Sequence, residues 1–213
     1  MIHIRNWFYY KIDNKVVYLR TSLLYWNSYK NIVDEIKSKY GYTVETLSCP
    51  PSNGVLHDWV NIVNDAYDDA CYDVEKGSLF FQNHSYLELK ALHFIVDKKG
   101  GRIGTVISGV YKENPHIAGA CRLALLKEYQ KKGIGQYLIL LGYSYLKDKV
   151  NIGESLIASK RKHSLFLHFK LGFRPVLSKK GMAYTAPLRK VNFLQRFRLK
   201  WRLMCAFIKF IRK

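Results

Sequence analysis

The sequence predicts a mixed α/β domain, and three stretches of the 213 residues carry that expectation. The first is an apolar run from Ile117 to Leu126, broken only by Arg122, which reads as a buried strand. It meets a short basic loop with two glycines and then a helix-patterned segment from Ile134 to Val150. The second stretch repeats that order: a strand-like run from Glu154 to Ser159, the basic turn Lys160-Arg161-Lys162, and helical spacing from His163 to Leu171. In the third, Ala91–Val96 and Arg102–Tyr111 flank Lys98-Lys99-Gly100-Gly101 and predict an antiparallel pair.

The remaining elements follow from turns and periodicity. Dense aromatic and β-branched residues around Asp13-Asn14-Lys15 predict a hairpin over Met1–Arg20. Ile32, Val33 and Ile36 give residues 27–40 helical spacing, and Gly41 ends the helix. Tyr42 to Leu47 alternates as a strand does and stops at Pro50-Pro51. Ser52 or Asn53 can cap the next helix, in which Leu56, Val60, Ile62 and Val63 face a core. A further helix is expected after Tyr72-Asp73-Val74-Glu75.

A strand running into a glycine loop and a helix points free backbone N–H groups at whatever lies beyond the strand end. The positive end of the helix dipole adds attraction for phosphate. Gly133 and Gly135 let backbone come close to a ligand, and Lys131 and Lys132 supply charge; an ordinary glycine-capped basic turn is the plainer alternative. A Walker loop is excluded because Gly135 is followed by Gln136 and Tyr137, and a dinucleotide fingerprint because its third glycine is missing. The segment instead resembles the acyl-CoA loop of the GNAT acyltransferases, Gln/Arg-x-x-Gly-x-Gly/Ala, with Gln130, Gly133 and Gly135 in its positions. Lys170-Leu171-Gly172-Phe173 is similar to a second GNAT motif, the end of a helix that covers the acyl-CoA thiol, and Ser164 fits a common form of it. The resemblance spans roughly residues 42–188 and implies a mostly antiparallel central sheet flanked by helices.

That resemblance implies an N-acyltransferase, and an N-acetyltransferase in the first place, moving an acyl group from acetyl-CoA or another acyl-CoA to an amine. The cofactor-binding residues it implies are Leu125, Leu126, Gln130, Lys131, Lys132, Gly133, Ile134, Gly135 and Gln136, with a backbone N–H near Leu125 or Leu126 polarising the thioester carbonyl. The family's thiolate acid is a Tyr four residues before the glycine of the second motif, where this chain has His168. His168 as an imidazolium acid and His168 as a helix histidine without a catalytic part are both open at this point. The Glu that some members carry fourteen residues before the first loop glycine is replaced by Gly119, and Glu88, His93, Glu113 and His116 do not single out a base. With acid and base both altered, an inactive CoA-binding or regulatory module is one alternative, and a basic membrane-surface or nucleic-acid-binding adaptor, suggested by the charge and the C-terminal stretch, is another.

Composition is consistent with a cytoplasmic enzyme of one main domain. No run of ~18 uncharged apolar residues reads as a membrane span. Residues 1–10 lack the apolar core of a secretion signal. Cys49, Cys71, Cys121 and Cys205 are widely spaced, so reduced thiols are expected and a zinc site is not. The net charge of +19 divides into +4 over residues 1–40, −3 over 41–126, +9 over 127–188 and +9 over 189–213. The excess therefore sits in the presumed cofactor half and the tail. Basic residues that interrupt two acyl-CoA motifs, without any DNA-binding pattern, argue against nucleic acid as the main ligand.

Three segments are expected: an N-terminal extension or small added subdomain over residues 1–40, the acyltransferase domain over 41–188, and a C-terminal helix over 189–213. In the last, Leu194, Phe197, Trp201, Met204, Ile208 and Ile211 form an apolar stripe opposite Arg198, Arg202, Lys209 and Arg212. Such a basic amphipathic helix either packs on the domain or on a second subunit of a homo-oligomer, or makes peripheral contact with an anionic membrane. The acceptor that the resemblance implies is a small-molecule or peptide amine, and its identity is open at this point. Asp65, Asp68, Asp69, Asp73 and Glu75 hint that it is cationic, although solvated helix faces are often acidic.

Overall fold

The computed structural model describes residues 9–11, 16–158 and 161–175. The elements in chain order are β1 (Tyr9–Lys11), β2 (Val16–Ser22), α1 (Tyr29–Tyr40), β3 (Thr43–Ser48), α2 (Asn53–Ala66), α3 (Val74–Gln82) and β4 (Leu87–Val96). There follow β5 (Arg102–Tyr111), β6 (Asn114–Leu125), α4 (Gly135–Ser144), β7 (Ile152–Ala158), α5 (Lys162–Lys170) and β8 (Arg174–Pro175). The amphipathic tail expected over residues 189–213 lies outside the described residues, as does Lys160.

One sheet runs in the order β1-β2-β7-β6-β5-β4-β3, with β8 pairing to β2. Every pair is antiparallel except β6–β7. Strand β4 shows how the sheet is covered on both faces. Leu92, Phe94 and Val96 pack under α2 and α3 with Leu56, Trp59 and Val63, whereas Ile95 between them packs with Ile32 and Ile36 of α1 and Leu138 of α4. A strand buried on both faces reads as an unbroken apolar run, which is why Ala91–Val96 shows so little alternation.

Helix ends follow local chemistry. Ser28 caps α1 by accepting a hydrogen bond from the Asn31 N–H, and Gly41 closes it in the left-handed region at φ 68°. Asp73 caps α3 from the Lys76 N–H. Helix α5 ends in a Schellman motif, with Phe173 N–H on the His168 carbonyl, Gly172 N–H on that of Phe169, and Gly172 at φ 88°. Phe173 is thereby delivered fully buried against Tyr143 and His168.

Two sequence expectations need correction. The helix expected over residues 134–150 stops at Ser144, and residues 145–149 form turns, since Lys149 and Val150 both return their N–H to the Leu146 carbonyl. The strand expected to begin at Ile117 begins at Asn114, because Tyr111 and Asn114 pair directly across the β5–β6 turn. In the described part of the first 40 residues, β2 pairs along its whole length with β7, and α1 shares a core with α4.

Candidate active site

The site is built on the one parallel pair. Strands β6 and β7 are in register only over Ile117–Gly119 and Ile152–Glu154 and diverge beyond it. On the β5 side, β6 carries a bulge: Arg122 and Leu123 together face a single position of β5, and Arg122 takes φ 49°. Past the bulge Leu126 donates its N–H to the Ile103 carbonyl at 2.9 Å. Alternate residues of an antiparallel strand turn their backbone groups to opposite sides, so those of Leu123 and Leu125 face away from β5, into the gap. The carbonyls agree: Leu125's accepts from Gln130 Nε2 at 2.9 Å and Leu123's from the Tyr67 hydroxyl. Of the two N–H groups the sequence offered for polarising a carbonyl, Leu125's faces the gap and Leu126's is spent within the sheet.

Beyond β6 the chain makes a short 3-10 turn over Lys127–Tyr129 and enters the glycine loop. Lys131 and Gly133 both take positive φ, 61° and 83°. A Cβ on Gly133 would lie 3.1 Å from the Tyr40 hydroxyl, which itself donates to the Lys132 carbonyl at 3.2 Å. A Cβ on Gly135 would meet Leu167 Cδ1 of α5 at 3.3 Å. Helix α4 starts here, so the N–H groups of Gly135 and Gln136 lack partners within the helix and face the loop, whereas that of Tyr137 already returns to the Ile134 carbonyl at 2.9 Å. The loop therefore fits a pyrophosphate approached through backbone. The side chains predicted to bind divide into different tasks. Ile134 is buried in the core, the Gln130 side chain folds back onto Leu125, and Gln136 accepts from Lys170 Nζ at 3.5 Å. Lys132 lies 5.1 Å from the Tyr129 ring centroid, and Lys131 is exposed.

A cavity of about 310 Å³ occupies the gap between the diverging strands. Its lining comes from both faces of the sheet: Tyr67, Tyr86 and Tyr111 on the α2–α3 side, and Tyr143, Ser164 and His168 on the α4–α5 side. His168 is buried, with Nδ1 2.8 Å from the Ser164 carbonyl and Nε2 3.2 Å from Ser155 Oγ. A carbonyl can only accept, so Nδ1 holds the proton and Nε2 accepts from the serine hydroxyl. Burial pushes the imidazole down to about 4, against a smaller opposing effect of the Ser164 carbonyl. At pH 7 only about one molecule in a thousand would carry the charge. The ring that the sequence offered as a thiolate acid is therefore one whose charged form burial disfavours, and its Nε2 lies on Ser155.

At the end of the β6–β7 register, next to the cavity-lining Ser155, stands Glu154, which sequence inspection passed over as the start of a strand. It stands beside Gly119 in the β6–β7 register. A Cβ on Gly119 would come within 2.6 Å of Leu87 Cδ2 and 3.3 Å of Tyr111 Cε2, so a side chain there would require the buried Leu87 to move. Glu154 is buried; desolvation raises its carboxyl above the ordinary range, and Arg20, whose Nε donates to it at 2.5 Å, partly offsets the rise. The other groups considered from sequence lie elsewhere. His93 is buried on the α1 face with Nε2 on Ser108 Oγ at 2.7 Å, Glu88 pairs with Lys90, and Glu113 and His116 lie at the β5–β6 turn.

The acidic segment that hinted at a cationic acceptor is largely consumed by local partners. Asp65 accepts from the Lys127 N–H at 2.6 Å, and Asp68 takes Lys127 Nζ at 2.9 Å. Asp69 pairs with Arg161 at 3.0 Å, and Asp73 caps α3 and pairs with Lys76.

Comparison with known proteins agrees with this architecture. No curated protein matches the sequence. Among solved structures, a tandem GNAT protein from the clavulanic acid biosynthesis pathway superposes with a TM-score of 0.54 at 14% identity, covering 76% of this chain and 50% of that one. A GCN5-related N-acetyltransferase from Sphaerobacter thermophilus gives 0.52 at 14% identity, covering 75% and 48%. One from Kribbella flavida gives 0.51 at 12% identity, covering 78% and 58%. The chain spans about half the length of these structures, and at such identity the likeness is one of fold. The sequence profile of the "Acetyltransferase (GNAT) family" matches residues 56–173, more than half of the chain and the whole of the diverging-strand site, and the protein belongs to that family.

Proposed function

We propose that the protein is an N-acyltransferase that takes an acyl group, acetyl in the first place, from acyl-CoA and places it on an amine. The observation that supports this most is the gap between β6 and β7, with the Leu125 N–H facing into it and the N-terminus of α4 at the strand end. The bound thioester would supply an activated acyl group with a thiolate leaving group, and the residues here divide the remaining work. Backbone N–H groups of residues 133–136 hold the pyrophosphate, because helix-terminal donors near positive φ glycine allow close approach. The Leu125 N–H meets the carbonyl oxygen where negative charge develops, and removing one such donor typically costs ~10²–10³-fold in rate.

Attack requires a neutral amine, and Glu154 is the group we assign to take its proton. A carboxyl raised by burial is a better base near neutral pH than an exposed one. Ser155, held by His168, presents its hydroxyl on the opposite side of the gap, where it can turn from Nε2 to the departing sulfur. His168 acts on this account by positioning Ser155. Incubating the full-length protein with acetyl-CoA and a library of amines, with free thiol and acylated product both measured, tests the proposal. Amine-dependent thiol release is expected. Acetyl-CoA binding without turnover of any amine would replace this reading with that of a CoA-binding module.

A further inference from the structure

The acceptor side of the cavity is aromatic and basic, and this bears on the chemistry of the amine. Arg122 sits at the cavity mouth, projected from the β6 bulge by its left-handed backbone. Its guanidinium lies 4.9 Å from the Phe80 ring centroid and 5.4 Å from that of Tyr72, with Nη2 donating to the Tyr72 hydroxyl at 2.5 Å. Two aromatic rings and one hydroxyl hold it in place, and no carboxylate among the described residues neutralises it. Arg161 lies across the same mouth, 4.0 Å from the Tyr67 ring centroid, with one nitrogen on Asp69. Lys112 adds a third cation nearby through the His84 carbonyl, at 2.7 Å. The local field is positive enough to register on His84, where burial first and then Arg122 and Lys112 hold the imidazole down to about 4.

A guanidinium that is ordered, open to solvent on one side and unpaired with an acid is a receptor for a planar or tetrahedral anion, because its remaining N–H donors form a fork. A cationic amine without an anionic group would meet repulsion here, since the acids of residues 65–73 are turned to Lys127, Arg161 and Lys76. We propose that the acceptor is an amine carrying a carboxylate or a phosphate, bound by Arg122 so that its amino group enters the gap toward Leu125. This rests on the acyl-transfer reading above and names its substrate class. Arg122 is then a specificity-determining residue, in contact with the acceptor's anion and remote from the bond that is made.

The test uses full-length protein, acetyl-CoA and matched amine pairs: glycine against glycinamide, phosphoethanolamine against ethanolamine, and glucosamine 6-phosphate against glucosamine. The anionic member of at least one pair should have the higher kcat/KM, and which pair responds distinguishes carboxylate from phosphate. Arg122→Asn, whose side chain tolerates positive φ, should erase roughly 10–100-fold of that preference through KM, the size of a charge-assisted hydrogen bond. Arg122→Lys should recover part of it. Stabilisation by acetyl-CoA should be unchanged in both variants, which shows that they are folded with the cofactor side intact. Equal or better turnover of the neutral members, or a preference that survives Arg122→Asn, would overturn the proposal. Should no amine turn over, calorimetry of the same pairs with CoA-saturated protein decides it: binding without preference for the anion overturns it. Failure of acetyl-CoA itself to bind would instead overturn the acyl-transfer reading beneath it.

Discussion

Glu154 of β7 stands beside Gly119 of β6 in the parallel register, so a buried carboxylate occupies the neighbouring place to one where a Cβ would press on Leu87. The neighbouring strand thus carries a buried carboxylate beside the place where β6 lacks a Glu, and it is the group assigned above to the amine's proton.

If Glu154 takes the amine proton, Glu154→Gln should lower kcat by about 10²–10⁴-fold while acetyl-CoA still stabilises the protein. The pH profile gives the sharper readout. Activity should fall as pH drops through the Glu154 pKa, because a protonated carboxyl cannot take the amine's proton. Arg20 draws that pKa down, so Arg20→Met should move the acidic limb of kcat/KM to higher pH. An acidic limb that stays in place in Arg20→Met would remove Glu154 from the reaction.

The glycine loop makes a prediction about binding alone. Gly133→Val puts a β-branched residue at φ 83° with its Cβ against the Tyr40 hydroxyl, and should abolish the thermal shift caused by acetyl-CoA. Gly100 also has φ 83°, with nothing within 4 Å of a Cβ built there. Gly100→Val therefore carries a similar backbone cost away from the site and should keep the shift. Loss of the shift in both variants would mean that backbone strain rather than the loop is responsible.

Ser155 and His168 are expected to behave as one unit. Residues that act together are strongly non-additive, so Ser155→Ala, His168→Phe and the double variant should lose similar amounts of kcat. A His168→Phe variant far slower than Ser155→Ala would return His168 to direct chemistry. If neither variant changes turnover, both belong to packing.

Buried neutral histidines also make stability depend on pH. Burial holds His168 down to about 4 and His93 to about 3, against about 6.5 in the unfolded chain. Above pH 6.5 both states are uncharged and the full stability is present. As pH falls from 6.5 toward 4 the unfolded chain binds protons that the folded one refuses, and stability drops by about 1.4 kcal/mol per pH unit for each such histidine. Urea melts at pH 7 and pH 5 should show this loss, and His168→Gln should reduce it by close to one histidine's share. An identical pH dependence in the variant would show that His168 is already accessible to protons in the native state.

The sequence by itself determined the order of the elements, the glycine loop and the Gly172 helix end, because these depend on local chemistry. Glycine at positive φ, caps such as Asp73, and apolar runs are read along the chain without knowing what packs on them. Tertiary structure decided everything that depends on which side of a strand a group faces and what stands across from it. The pairing of Glu154 with Gly119 joins residues on two strands, and no spacing rule along one chain connects them. His168 matched a motif position, yet burial, which only the fold supplies, disfavours its charged form against a smaller opposing effect of the Ser164 carbonyl. The acids of residues 65–75 looked like one patch in sequence, but packing turned Asp68 and Asp69 to cations on other elements and Asp65 to the Lys127 N–H, while Asp73 pairs with Lys76 of the helix it caps. Arg122, by contrast, seemed only to interrupt an apolar strand, and the bulge it occupies is what carries it to the mouth of the cavity.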